Sequence, residues 1–79
     1  MDPSLLRSLA DKTYDKRKTS ALEVERLVRD SATDLPKLDT IISQLCELSK
    51  NPSSNGRSGG IMGLAAASLV LLYRIGVVN

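Results

Sequence analysis

The sequence predicts an all-α fold of about four helices. Its 79 residues include no Phe, no Trp and only two Tyr, so the core must be built from Leu, Ile, Val, Ala and Met. That composition suits helices better than β-sandwiches or barrels. Apolar residues also recur at spacings of three and four, the period of a helix buried on one side. A chain this short buries only about 60% of its unfolded surface, so we expect one small domain without a large internal site.

The first helix is predicted from a capping signal and the second from an apolar stripe. Asp2 followed by Pro3 is typical of an N-cap and a first-turn proline, and predicts a short helix over about residues 3–11. A second helix is predicted over about residues 14–31, where the apolar stripe is flanked by charged pairs at helical spacing on the opposite side. The stripe consists of Ala21, Val24, Leu27 and Val28, with Leu22 beside it.

The third and fourth helices are predicted from helix-capping and loop-forming residues. Asp34 is a cap candidate, and Pro36 in the next turn predicts a helix over about residues 35–49. Its connection to the second helix is only a few residues long, which favours an antiparallel helix pair. The segment KNPSSNGRSGG is dense in Asn, Pro, Ser and Gly, so residues 50–57 are predicted to form a loop, followed by a helix over about residues 58–74.

The chain also contains a weak internal repeat. An offset of forty residues places Arg57 on Arg17 and Met62 on Leu22. Forty residues is near the lower end of the HEAT and armadillo period. We therefore expect residues 1–79 to form a single N-terminal HEAT-like unit, an α-solenoid fragment that ends with the first helix of the next repeat. About three such repeats are needed for stability, so further HEAT repeats or another chain should cover the apolar C-terminal helix.

The apolar C-terminal segment has two interpretations. Residues 61–73 carry no charge, but as a helix they span roughly 20 Å, against about 30 Å of hydrocarbon in a bilayer. Small residues in the segment allow a neighbouring helix to approach closely, and helices that are apolar all round are usually buried in protein. We favour a buried solenoid helix. The alternative is a small single-span or peripheral membrane protein anchored by residues 61–78.

A basic cluster at the start of the second helix is the candidate partner-binding site. Lys12, Lys16, Arg17 and Lys18 lie at the end of the helix where the macrodipole disfavours positive charge. Such a conflict is expected at functional surfaces, and a cationic corner suits a phosphate group or an acidic partner surface. Arg57 occupies the equivalent place in the following repeat. The alternative is a solvated basic turn, offset by nearby aspartates.

Several function classes find no support in the sequence. The chain has no His and a single cysteine, Cys46, which lies on an apolar stripe and is expected to be a core residue rather than a reactive thiol. No phosphate-binding loop or catalytic carboxylate pair is recognisable. A net charge of +2 and two aromatic residues do not indicate nucleic-acid binding. We expect no enzyme, no cofactor and no metal site.

The strings DKTYDKRKTSALEVERLV and GRSGGIMGLAA together resemble the N-terminus of the Vac-fourteen family, also called ArPIKfyve. This family is a HEAT-repeat scaffold of the complex that makes and turns over phosphatidylinositol 3,5-bisphosphate. The resemblance implies a non-enzymatic adaptor that binds the PIKfyve-type phosphoinositide kinase. It also implies a peripheral location, through the complex, on the cytoplasmic face of vacuolar and late endosomal membranes.

The resemblance extends over about residues 4–72. The sequence departs from the family pattern at Ser58, where a basic residue is usual, and after Leu72. The positions that match the family motif are Asp11, Lys12, Tyr14, Lys16, Arg17, Lys18, Ala21 and Leu22, and then Arg57, Gly59, Gly60, Gly63, Leu64 and Ala65. The basic residues among them are the better candidates for partner contacts.

Overall fold

The computed structural model describes residues 1–76, and the surroundings of the side chains up to Tyr73. No strand occurs in this described part, so the predicted all-α, HEAT-like fragment of about four helices is confirmed. Residues 77 and 78 of the alternative membrane anchor lie outside the described residues. The helices are α1 (Pro3–Leu9), α2 (Tyr14–Asp30), α3 (Leu35–Leu48) and α4 (Ser54–Gly76).

Short polar side chains fix the starts of α1 and α3. The Asp2 carboxylate accepts a hydrogen bond from the backbone N–H of Ser4 at 2.8 Å, and Asp34 accepts one from that of Lys37 at 3.2 Å. Each cap satisfies a backbone donor that has no partner within its helix, which stabilises the helix start by about 1 kcal/mol. Both aspartates therefore act as the sequence predicts.

Helix α4 begins at Ser54, four residues before the predicted start near 58. The loop assigned to residues 50–57 is therefore too long. The side chain of Asn51 accepts a hydrogen bond from the backbone N–H of Ser53 at 2.8 Å, and the N–H of Arg57 bonds the carbonyl of Ser53 at 3.0 Å. These local bonds and the burial of Gly56 outweigh the low helix propensity of the Asn, Ser and Gly residues in this turn.

All four helices contribute to one small core. Burying a Leu, Ile or Val side chain stabilises a fold by about 1.5 to 3 kcal/mol. These contacts pack α4 against both α2 and α3, and α1 against α2 and α4. Cys46, expected in the core, is half-buried on α3. The apolar side chains of the buried core cluster are Leu9, Val24, Val28, Ile41, Leu45, Ala67 and Val70, and Ala66 is buried as well.

Glycines let α4 lie unusually close to the other helices. A Cβ atom on Gly59 would overlap the backbone carbonyl of Leu9, and one on Gly60 would overlap the backbone nitrogen of Ser49. A Cβ atom on Gly63 would lie 2.5 Å from a methyl group of Leu45. From Gly60 to Gly63 on α4, the contacted residue on α3 changes from Ser49 to Leu45. Residue numbers thus rise on one helix as they fall on the other, so α3 and α4 are antiparallel. Arg17 in the first turn of α2 contacts Asn55 in the first turn of α4, and these two helices pack along each other, so α4 runs parallel to α2.

The segment Ser54–Tyr73 is long and apolar enough to cross a membrane by length and composition. Core helices of proteins without a membrane span pass the same test. Here 33% of the segment is buried inside the fold, and its glycine face is fitted against the backbones of α1 and α3. One side of α4 is therefore packed as the predicted solenoid helix requires, whereas the larger part of the segment is not buried by the described residues.

Candidate partner-binding surface

The turns that precede α2 and α4 are built in the same way, forty residues apart. In the first, Asp11 Oδ1 accepts a hydrogen bond from the backbone N–H of Thr13 at 2.8 Å, and Arg17 Nη1 donates to the carbonyl oxygen of Asp11 at 2.8 Å. In the second, Asn51 plays the part of the aspartate, and Arg57 Nη1 donates to its carbonyl oxygen at 3.1 Å. The forty-residue offset seen in the sequence is therefore present in the structure.

Arg17 also joins the two repeats. Its Nη1 lies 3.4 Å from the side-chain oxygen of Asn55, in the first turn of α4, and its guanidinium lies 5.8 Å from the ring centre of Tyr14. The Nε atom is buried without a hydrogen-bond partner. Arg17 thus stabilises the turn and the contact between α2 and α4, and most of its N–H groups face protein rather than solvent.

The three lysines of the basic cluster are exposed. Lys16 Nζ lies 3.9 Å from a carboxylate oxygen of Asp11, and exposed ion pairs of this kind stabilise a protein by about 0–1 kcal/mol. Lys16 and Lys18 are two residues apart on α2, so about 200° of helix rotation separates them and they point to different sides. Lys12 precedes the helix in the turn.

The structure therefore divides the five predicted site residues into two groups. Arg17 and Arg57 bind backbone carbonyl groups of the turns, and Arg57 also donates to the carbonyl of Pro52 at 2.7 Å. The lysines remain free to meet a partner, although they do not form one continuous face. The binding role of all five residues stays a prediction.

Asn51 and Asn55 are not singled out by the sequence, although Asn51 holds the second turn and Asn55 accepts a hydrogen bond from Arg17. The signal was available, because Asn51, Ser53 and Arg57 repeat the spacing of Asp11, Thr13 and Arg17. An amide oxygen accepts the same hydrogen bond as a carboxylate oxygen. The change from an acid at Asp11 to an amide at Asn51 makes the correspondence between the two turns hard to see in the sequence.

The first turn is sensitive to acid. The hydrogen bond from the backbone N–H of Thr13 lowers the pKa of Asp11 below its ordinary value of 3.8, and the charges of Lys16 and Lys12 lower it further. A group whose pKa is lower in the folded state contributes stability above its unfolded pKa, and that contribution is lost as the pH falls through the folded value. The Asn51 turn has no such dependence.

We therefore expect Asp11→Asn to leave the free energy of unfolding nearly unchanged at neutral pH, because Asn51 holds the equivalent turn. Between about pH 5 and about pH 3 the variant should lose less stability than the parent chain. Urea unfolding followed by circular dichroism measures both. Asp39→Asn, at an exposed position on α3, is the matched control and should retain the parent's acid dependence. An Asp11 variant as acid-sensitive as the parent would contradict the assignment.

Helix α4 also presents an apolar stripe to solvent. Ile61, Leu69, Leu72 and Tyr73 are 60%, 67%, 65% and 69% exposed. No charged side chain occurs between Ser58 and Tyr73. Exposed apolar patches of this kind mark surfaces that bind protein or membrane. Among the residues that the structure describes, no group of three His, Cys, Asp or Glu could hold a metal ion.

Comparison with known proteins finds relatives among curated sequences. No protein-family model matches the chain, and no solved structure matches it. The chain is 44% identical over 68 residues to "Protein VAC14 homolog" of Arabidopsis thaliana, a match that covers 82% of this chain and 9% of that protein. It is 39% identical over 77 residues to "Vacuole morphology and inheritance protein 14" of Saccharomyces cerevisiae, which covers 90% of this chain and 8% of the yeast protein.

A third relative, "Protein VAC14 homolog" of Schizosaccharomyces pombe, is 40% identical over 76 residues, with 90% of this chain and 9% of that protein covered. The chain spans less than a tenth of the length of these curated relatives. None of the three names denotes an enzyme, and the yeast name refers to the vacuole. Identity at this level over most of the 79 residues, in relatives from a plant and two yeasts, shows that the chain belongs to the Vac-fourteen (VAC14) family.

Proposed function

We propose that the chain is a non-enzymatic scaffold segment of the assembly that regulates phosphatidylinositol 3,5-bisphosphate synthesis, and that it binds the PIKfyve-type lipid kinase subunit. The observation that supports this most directly is its similarity, over 82% to 90% of its length, to VAC14 proteins. The absence of His from the sequence and the half-buried position of its single cysteine agree with a role in binding rather than catalysis.

The name of the yeast relative supports a vacuolar setting. We place the segment on the cytoplasmic face of vacuolar or late endosomal membranes, held there peripherally through the complex rather than by α4. In this proposal further HEAT repeats or another chain cover the apolar side of α4, and the basic cluster faces the kinase.

Within the basic cluster, the lysines are the better candidates for kinase contacts. Lys12, Lys16 and Lys18 are exposed, whereas both arginines are tied to turn carbonyls. Charged groups at the edge of an interface chiefly steer association and set specificity. A test of binding should therefore change the lysines and leave Arg17 and Arg57 in place, because loss of an arginine would also disturb the turns.

We expect the triple variant Lys12→Glu, Lys16→Glu, Lys18→Glu to bind the kinase about tenfold more weakly than the parent chain. The measurement is a titrated pull-down of the kinase with residues 1–79, accompanied by circular dichroism to show that the fold is intact. A matched variant makes the same change in charge at three exposed cations elsewhere.

The control variant carries Arg7→Glu, Lys37→Glu and Lys50→Glu, all exposed positions on or next to α1 and α3. It should bind within about twofold of the parent. Equal losses in both variants would mean that only the overall charge matters. If the parent chain does not bind while a longer VAC14 scaffold does, the segment has no independent role in kinase binding.

A further inference from the structure

The first helical pair, α1 and α2, is shorter than the second pair, α3 and α4. The forty-residue offset that relates the two turns also relates α1 to α3. The two helices end at nearly equivalent places, because Leu9 corresponds to Ser49 and α3 ends at Leu48. Their starts differ, because Pro3 corresponds to Ser43, whereas α3 begins at Leu35, eight residues earlier. The first pair therefore lacks about two helical turns, or roughly 12 Å of helix.

The start of α1 is fixed by its own residues. Asp2 accepts the capping hydrogen bond from the backbone N–H of Ser4, and Pro3 occupies the first helical position. Proline is tolerated there, but further inside a helix it has no N–H to donate and its ring clashes with the preceding turn. The two missing turns are therefore not supplied by α1 itself.

A crevice of about 460 Å³ lies among the start of α1, the middle of α2 and the first half of α3. Among the described helices, α2 and α3 are not a closely packed pair, which leaves this space open. Its volume is within the range of about 300–1,000 Å³ that is usual for binding sites. The residues that line it include Leu5, Leu27, Thr40 and Ile41, with Asp2, Glu23 and Lys37 at the rim.

The crevice occupies the place of the missing turns. In the second pair, Ile41 on the first half of α3 and Ala67 on α4 belong to one core, and each is 1% exposed. Ala67 corresponds to Leu27, which is only half-buried on α2. The first pair thus has the floor for such a contact but no counterpart of the first half of α3 to cover it.

From this geometry we propose that the crevice binds a two-turn helical segment of a partner protein, which completes the first helical pair. The apolar residues of that segment, spaced three and four apart, pack on Leu5, Leu27 and Ile41. A lysine or arginine at its C-terminal end meets Asp2 and Glu23. This inference does not depend on the kinase proposal.

The rim determines the charge of the segment. Glu23 corresponds to Gly63, which lies against Leu45, the counterpart of Leu5, so Glu23 is level with the start of α1. Both hydrogen bonds that Asp2 accepts from Ser4 go to Oδ1. The hydrogen bond from the backbone of Ser4 lowers the pKa of Asp2 below its ordinary value of 3.8, so this carboxylate is charged at neutral pH.

A segment that runs in the direction of α1 brings its C-terminal end to these two carboxylates. The helix macrodipole favours a cation at that end. Lys37 lies nearer the start of α3, at the other end of the crevice, where it would disfavour a cation.

A second copy of the chain does not supply such a segment. Its exposed apolar helix surface is on α4, where Ile61, Leu69 and Leu72 are exposed. No charged side chain occurs between Ser58 and Tyr73, so this surface offers no cation to Asp2 and Glu23. A partner with a short amphipathic helix that ends in a basic residue fits both the floor and the rim.

The test places a probe of this chemistry beside the crevice. The full chain is preceded by the segment DLPKLDTIIK, joined to Met1 through a flexible linker of about six glycine and serine residues. The segment repeats residues 34–42, the counterpart of the missing turns, and adds a lysine at the C-terminal end. A tether is needed because so short a helix is marginal alone, and it gives an effective concentration of about 1 mM. The matched control has serine at every Leu and Ile of the probe.

Both extended chains carry Cys46→Ala and a single reporter cysteine. The reporter is either Thr40→Cys, in the crevice, or Asp39→Cys, outside its lining, and both positions are exposed. The measurement is the rate of modification by a water-soluble maleimide, with circular dichroism to show that each chain is folded.

With the probe, the cysteine at position 40 should react about tenfold more slowly than with the serine control, whereas that at position 39 should change by less than about twofold. Equal rates at position 40 in the two chains would overturn the proposal. So would equal protection of both positions, because the probe would then cover α3 without entering the crevice.

The charge of the rim is tested by a swap. Glu23→Lys, at an exposed position, should reduce the protection at position 40 to less than about threefold. Changing the terminal lysine of the probe to glutamate should then restore it. Protection that is the same in all charge combinations would contradict the pairing of a basic residue with Asp2 and Glu23.

Discussion

Replacing Gly59 by alanine is expected to remove most of the chain's free energy of unfolding in water at room temperature. The new Cβ atom would overlap the carbonyl oxygen of Leu9, and a backbone atom cannot move aside as a flexible side chain can, so α4 would have to shift away from α1. Overpacking a core costs about 1–3 kcal/mol, and occasionally more. A chain of this size rarely has more than about 3–5 kcal/mol of stability to lose. Far-UV circular dichroism and urea unfolding measure the effect.

Gly63→Ala is the matched control on the same helix. Its Cβ atom would meet the end of the Leu45 side chain at 2.5 Å, and that side chain can shift. Alanine also raises helix propensity by up to about 1 kcal/mol over glycine. We expect this variant to fold, with a free energy of unfolding within about 1 kcal/mol of the parent. A Gly59 variant as stable as the Gly63 variant would show that α4 does not pack closely against α1.

The strong local signals in the sequence predicted most of the fold. Asp2 and Asp34 are followed by prolines in the first turn of a helix, and both cap as expected. The start of α4 is not predicted correctly because Asn, Pro, Ser and Gly are common in loops. Their low helix propensity is overcome here by local hydrogen bonds and by the burial of Gly56. Gly59 lets α4 touch the end of α1, a contact that no local pattern encodes.

The candidate site could be predicted only in part. The sequence shows that Lys16, Arg17 and Lys18 are consecutive, but it does not show which side of the helix each one faces. Burial of α2 against α4 directs Arg17 to the turn and to Asn55, and leaves the lysines in solvent. The role of Arg57 was likewise hidden, because a cation next to a turn looks the same in sequence whether it binds a partner or its own backbone.

The second large effect is expected for Leu45→Ala. Leu45 is fully buried in the last turn of α3, and deleting a buried leucine side chain costs about 2–5 kcal/mol because a cavity remains. The exposed Leu35, at 71%, is the control, since Leu35→Ala should change the free energy of unfolding by less than about 0.5 kcal/mol. Urea unfolding in trimethylamine N-oxide keeps all variants partly folded, so the differences stay measurable.

Combining Leu45→Ala with Gly63→Ala tests the contact between α3 and α4. The methyl group added at position 63 enters the space that Leu45 vacates, so the double variant should be more stable than the sum of the single effects, by about 1 kcal/mol. Such coupling requires α4 to pack on α3 in water, as a solenoid helix does and a helix that leaves for a bilayer does not. Strictly additive losses would instead mean that the two helices part, and the apolar segment would then have to be considered as a membrane anchor.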